Sequence, residues 1–171
     1  MKRYRLDLRP CYGQQMRLLI LIRPAMKAAD RIRRAYWRFR GRTIYGVMVM
    51  AFTPDGQLVL VRQTYSPGWS LPGGGRRADE EPTAAALREL REEIGLTRWT
   101  DVDILVSLDR PLSGAPASID LIRVNDAEFT FRPNFEIESV ATFDVNNLPS
   151  NLSKWSTYFI EAAAIYVQRK A

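Results

Sequence analysis

No histidine occurs anywhere in the 171 residues. That absence removes a Ser-His-Asp triad, a Cys-His dyad and any His-ligated zinc site, and leaves carboxylates, Lys, Tyr or metal-bound water for acid–base chemistry. Cysteine is nearly absent as well. The single Cys11 makes no internal disulfide, so a reducing compartment is expected. Long apolar runs are missing too: the longest aliphatic stretch is residues 18–22. A membrane-spanning helix needs ~20 apolar residues, and the same stretch is short for the core of a signal peptide. A cytoplasmic protein is the expectation. The composition, 46% hydrophobic and 26% charged with no internal repeat, excludes a disordered or fibrous chain and fits one globular domain.

The charge that is present is unevenly placed. Residues 1–42 carry thirteen Lys/Arg against two Asp, a net +11, whereas residues 43–171 sum to −5. The chain divides accordingly into a basic N-terminal extension, 1–42, and an acidic body, 43–171. An acidic body is not what a nucleic-acid-binding domain shows, so no nucleic-acid partner is expected. Within the extension, Ala25, Ala28, Ile32, Tyr36 and Phe39 recur at helical spacing opposite Lys27, Arg31, Arg34 and Arg38. This predicts a basic amphipathic helix over 24–40. Its apolar stripe is expected to pack on the domain or on a second subunit, as in a homodimer. Adsorption to an anionic membrane surface, or docking to RNA, is the less favoured use.

In the body, 43–52 and 58–64 are rich in β-branched and apolar residues and flank Pro54-Asp55-Gly56, which reads as a β-hairpin. Residues 65–75 read as a loop and 82–94 as a helix closed by Gly95. Strands follow near 102–108, 119–124 and 137–144, the first two separated by a loop over 109–116, and a closing helix spans 154–167. Strands mixed with one or two helices point to an α+β fold with α/β/α layering.

The helix 82–94 carries the chemistry. Leu87, Leu90 and Ile94 form its core face, whereas Glu89, Glu92 and Glu93 stand at i, i+3 and i+4 on a face pointing away, with Ala85 and Ala86 one turn earlier leaving the acids accessible. Three carboxylates in the C-terminal half of a helix repel one another and oppose its dipole. A bound divalent cation removes both penalties, because hard cations take several carboxylate oxygens. A solvated acidic face, partly neutralised by Arg88 and Arg91, is the plain alternative.

The flanking residues decide against that alternative. Gly74, Glu80, Arg88-Glu89-Leu90, Glu92-Glu93 and Gly95-Leu96 match the Nudix box, G-x5-E-x7-R-E-U-x-E-E-x-G-U with U aliphatic, at every specified position. Trp69-Ser70-Leu71-Pro72-Gly73-Gly74-Gly75 also resembles the approach to that box. The resemblance covers about residues 43–165 and implies an α/β/α sandwich with a mixed sheet. It further implies a hydrolase that uses Mg²⁺ or Mn²⁺ to cleave the diphosphate of a small nucleotide-like substrate. Glu92 and Glu93 are the implied metal ligands, with the carbonyl of Gly73 a further candidate, and Glu89 either joins them on the metal or orients and deprotonates the attacking water. Arg88 would pair with Glu80 to hold the helix in register.

Members of this family also use a carboxylate outside the box, for which Glu128, Glu136 and Glu138 stand open. Arg62, Tyr65 and Trp69 flank the preceding loop and are candidates for binding phosphate or base, with burial of Trp69 an equal reading. Arg76 and Arg77 read as solvated. Pro111 stands fifteen residues past Leu96, where ADP-ribose-cleaving members carry a proline, although a Pro-rich loop accounts for it as well. Two rivals remain: a nucleotide sensor that does not hydrolyse, and an isomerase of similar fold. The isomerase needs a core cysteine, which this chain lacks.

Overall fold

The computed structural model describes residues 43–109, 111 and 115–170, with Pro24 and Ala28 ahead of them. Apart from Pro24 and Ala28, the helix expected over 24–40 lies outside the described residues, as do the apolar run 18–22 and half of the loop over 109–116. The elements run β1 (Ile44–Ala51), β2 (Leu58–Gln63), β3 (Gly73–Gly75), α1 (Pro82–Ile94), β4 (Leu96–Arg98), β5 (Val102–Asp109), β6 (Ala117–Val124), β7 (Glu128–Phe129), β8 (Ile137–Phe143) and α2 (Lys154–Lys170). No helix among the described residues is long and apolar enough to cross a membrane.

Alternation along the strands builds three layers. Val47, Val49 and Ala51 of β1, Val59 and Val61 of β2, and Ile122 and Val124 of β6 share one core with Ala85, Ala86, Leu90 and Ile94 of α1. The intervening residues Met50, Leu58, Leu60 and Leu121 share a second core with Phe159 and Ala163 of α2. Successive strand side chains point to opposite faces, so the strands lie between the two helices. The α+β fold with α/β/α layering is therefore present. Burying a side chain such as Phe159 or Leu90 contributes about 1.5–3 kcal/mol, so each helix is anchored by a few such residues.

The main sheet is mixed, in the order β3-β1-β6-β5: β1 runs parallel to β6 and antiparallel to β3, and β5 is antiparallel to β6. β2 pairs with β8 and β4 with β7, each as a two-stranded antiparallel ribbon. The expected hairpin of β1 and β2 is thus a connection and not a ladder. The turn forms, with Gly56 at φ 75° and its N–H donating to Thr53 O at 2.8 Å, but only Phe52 and Leu58 bridge before the strands part. Both strands are apolar on both faces, and a turn signal is the same whether its flanking strands stay paired or diverge. The loop expected over 65–75 also needs correction. Gly73, Gly74 and Gly75 form β3 opposite Met48, Val47 and Gly46.

Helix α1 has the bounds expected of it. Pro82 sits at its first turn, and Gly95 ends it in the left-handed region (φ 71°, ψ 45°), donating its N–H to Arg91 O and Leu90 O. Ala85 and Ala86, expected on the acid side, are fully buried in the core with Leu90 and Ile94. The short β4–β7 ribbon that follows had no counterpart in the sequence pattern, since strands of three and two residues show no periodicity.

Candidate active site

Two of the three box acids on α1, Glu89 and Glu93, do not face open water. Glu93 is 5% exposed and Glu89 9%, and only the Glu92 side chain stands out, 60% exposed. The first two enter a crevice against β3. The N–H of Gly73 donates to Glu93 Oε2 at 2.9 Å. A Cβ on Gly74 would lie 2.6 Å from the carboxylate carbon and both oxygens of Glu89, so the glycine is what leaves that carboxylate its place. The shared face at i, i+3 and i+4 is as expected; its solvation is not.

Arg88 organises the near side of the crevice. Its Nε and Nη2 donate to Glu80 Oε1 and Oε2 at 2.9 and 3.2 Å, a bidentate pair. Nη2 also donates to Gly75 O at 2.9 Å, Nη1 to Glu89 Oε1 at 2.7 Å, and Glu92 Oε2 lies 3.6 Å from Nη1. Hydrogen bonding from Arg88, then from the Arg77 N–H, holds Glu80 below the usual carboxylate range. The same Glu80 bond raises Arg88. Burial raises Glu89, an effect Arg88 opposes. Glu93 is displaced furthest. Burial pushes it up to about 8, against the pull of the Gly73 N–H and with repulsion from Glu89, Glu136 and Glu92.

That repulsion singles out one acid beyond the box. An open cleft of about 220 Å³ is lined by Glu92, Glu93, Asn134, Phe135 and Glu136. Of the three acids left open by the sequence, Glu136 therefore stands at the site. Glu128 lies on the β4–β7 ribbon, 3.6 Å from Arg98 Nη1, and Glu138 is not part of the cleft wall. Among the described residues no three acids converge into a ready-made cation cage, because Glu89 is turned to Arg88 and Glu93 to Gly73. The donor set nevertheless suits a hard divalent cation: it is all oxygen, it is anionic, and a buried carboxylate at its centre carries a charge that burial disfavours.

The remaining sequence candidates lie elsewhere. The Arg62 guanidinium stands 4.9 Å over the Trp69 ring, and Trp69 meets Phe143 edge-on at 5.3 Å within the second core. Tyr65 is half-buried in the loop after β2. The structure brings Arg62 and Trp69 to each other, and none of the three lines the acid cleft. Arg76 is not solvated. Its Nη2 lies 3.0 Å from Asp120 Oδ2, its Nη1 donates to Glu80 O at 2.9 Å, and it stacks 5.2 Å over the Tyr45 ring. Arg77, in contrast, is exposed. Asp120, Asn134 and Phe135 escaped the sequence reading. They come from a strand and a loop with no spacing signal, and only the fold brings them to the box.

The sequence model of the NUDIX domain matches residues 42–163. The chain belongs to that family. An RNA pyrophosphohydrolase of Gluconacetobacter diazotrophicus is 44% identical over 61 residues, 30% of this chain and 36% of that protein. The m7GpppN-mRNA hydrolase of Saccharomyces cerevisiae is 30% identical over 100 residues, 57% of this chain and 10% of that protein. The chain thus spans about a third of one relative's length and a tenth of the other's. Among solved structures, the MutT NUDIX hydrolase from Burkholderia pseudomallei superposes with a TM-score of 0.60 at 22% identity, covering 70% of this chain and 97% of that one. A UDP-X diphosphatase superposes with a TM-score of 0.55 at 24% identity, covering 76% and 65%. At such identities these likenesses establish the fold.

Proposed function

We propose that this NUDIX chain is a divalent-metal-dependent hydrolase that cleaves the diphosphate linkage of a nucleoside diphosphate derivative. The observation that carries the reading is the buried Glu93 carboxylate, flanked by Glu89, Glu92 and Glu136 and held at the Gly73 N–H. Glu89, Glu92 and Glu93, with the Gly73 carbonyl and Glu136 beside them, would hold Mg²⁺ or Mn²⁺. Such an ion, when bound, neutralises charge on the diphosphate and acidifies water.

The rest is the work of the chain's own residues. Glu89 takes the proton from the attacking water as the new P–O bond forms and the bond to the leaving phosphate breaks. Arg88, clamped by Glu80, fixes the Glu89 carboxylate in orientation.

A phosphate-release screen with Mg²⁺ and Mn²⁺ tests this, using nucleotide sugars, dinucleotides, nucleoside triphosphates and ADP-ribose. The names of the sequence relatives add RNA and m7GpppN-mRNA to the panel, although the acidic body argues for the small molecules. Metal-dependent turnover of at least one substrate is expected. Turnover undiminished in EDTA would overturn the reading. Nucleotide binding without turnover across the panel would replace it with a sensing role.

A further inference from the structure

Glu136 lies beyond the box, on a loop between β7 and β8, and something must hold it to the helix that carries the other acids. Its backbone is gripped from both sides. Thr64, at the end of β2, donates its Oγ1 to Phe135 O at 2.8 Å and its N–H to Glu136 O at 2.9 Å. On the other side stands Asn134. Its Oδ1 accepts the N–H of Glu136 at 3.0 Å and of Ile137 at 2.7 Å, while its Nδ2 donates to Glu92 O at 3.2 Å and Glu93 O at 3.5 Å. Those two carbonyls belong to the last turn of α1, where carbonyls lack a partner within the helix. One side chain thus joins the backbone of Glu136 to the backbone of Glu92 and Glu93.

We propose that Asn134 is a positioning residue, setting Glu136 at a fixed spacing from the Glu92–Glu93 pair so that four acids act as one cation site. A residue that merely capped the helix would use its donor alone. Asn134 uses both ends of its amide, and the acceptor end grips the neighbour that bears the carboxylate. The inference rests on the reading of the cleft as a cation site.

Its test is Mn²⁺ binding by electron paramagnetic resonance, joined to amide exchange and kinetics. In the wild-type protein, Mg²⁺ should slow exchange at the Glu136 and Ile137 amides; exchange indifferent to Mg²⁺ would overturn the proposal without any variant. Asn134→Ala should weaken Mn²⁺ binding about tenfold or more, the scale of losing a group that orients a ligand, and lower kcat with little change in KM. Asn134→Ser is the second variant. Its hydroxyl still accepts the local N–H groups, preserving the turn, but is too short to reach α1. Weakened Mn²⁺ binding with near-normal exchange at Glu136 and Ile137 is expected. Binding restored to wild type by serine would overturn the tie to α1.

Glu136→Gln should resemble Asn134→Ala, and the double variant should be no weaker than Glu136→Gln alone; additive losses would show that Asn134 acts by another route. Glu93→Gln serves as the control. If it binds Mn²⁺ normally, the cation site itself falls and this proposal with it. If it loses Mn²⁺ while Asn134→Ala does not, this proposal alone falls.

Discussion

Glu80 and Glu93 stand at opposite ends of the helix α1 neighbourhood, and the fold treats them in opposite ways. Glu80 receives two hydrogen bonds from Arg88 and one from the Arg77 N–H, and its charge is held more firmly than that of an ordinary carboxylate. Glu93 receives one N–H, is almost wholly buried, faces three other acids and is pushed up to about 8. It also sits in the last turn of α1, where the dipole disfavours an anion and Arg91 is the one basic residue. One carboxylate has its partners within the chain. The other has one N–H donor and three acidic neighbours, a deficit that the proposed cation would make good. Glu89 lies between them, sharing Arg88 with Glu80 and burial with Glu93.

The largest break in this comparison should come from Glu93→Gln. Turnover is expected to fall by about three orders of magnitude or more, since each ~1.4 kcal/mol of lost transition-state stabilisation is tenfold in rate. Full activity in this variant would sink the assignment of the site. The pH dependence of stability sharpens the same contrast. With Glu93 raised in the folded state to about 8, the folded protein binds more protons than the unfolded chain between the ordinary value of 4.5 and that point. Stability in EDTA is therefore fully present below about 4.5 and lost as pH rises through about 8, by on the order of a few kcal/mol. Urea midpoints at pH 5 and pH 8 measure this. Mg²⁺ should recover the loss at pH 8, and a profile that rises with pH would contradict it.

A smaller effect is expected at the other end of the helix. Glu80→Gln leaves Arg88 without its bidentate acceptor, and turnover should drop roughly 10–100-fold, as when an orienting group is lost. The affinity for Mn²⁺ should change less than in Glu93→Gln. An equal loss of Mn²⁺ binding in both variants would erase the distinction drawn here. Glu128→Gln, on the β4–β7 ribbon, should leave activity unchanged and stability within about 0.5 kcal/mol.

The legibility of this protein follows how local each signal is. Helix α1 could be bounded to the residue because Pro82 and Gly95 act on their own turns, and the acids of the box share a face by helical period alone. The strands β5, β6 and β8 fell within a residue or two of the structure for the same reason. Pairing is not local. Nothing near Phe52 or Leu58 says that β1 leaves β2 for β6, or that Gly73–Gly75 will ladder with β1. In the site, Glu128, Glu136 and Glu138 were indistinguishable because the choice depends on which loop reaches the end of α1. Asn134 makes that choice through contacts to residues some forty positions earlier. Arg76 looked like a surface arginine because its partner Asp120 lies on β6, on the far side of the box in sequence.

The parallel pairing of β1 with β6, and the antiparallel pairing of β2 with the still later β8, bear on how the protein is made. During synthesis the box and α1 leave the ribosome while both strands that complete their sheets are yet to be built. The nascent chain then displays β1 and β2, apolar on both faces and with open edges, and non-local pairing of this kind is slow to form. Holdase chaperones would find their longest opportunity in that interval. A translation product that stops ahead of Phe143 would carry the entire box and yet aggregate.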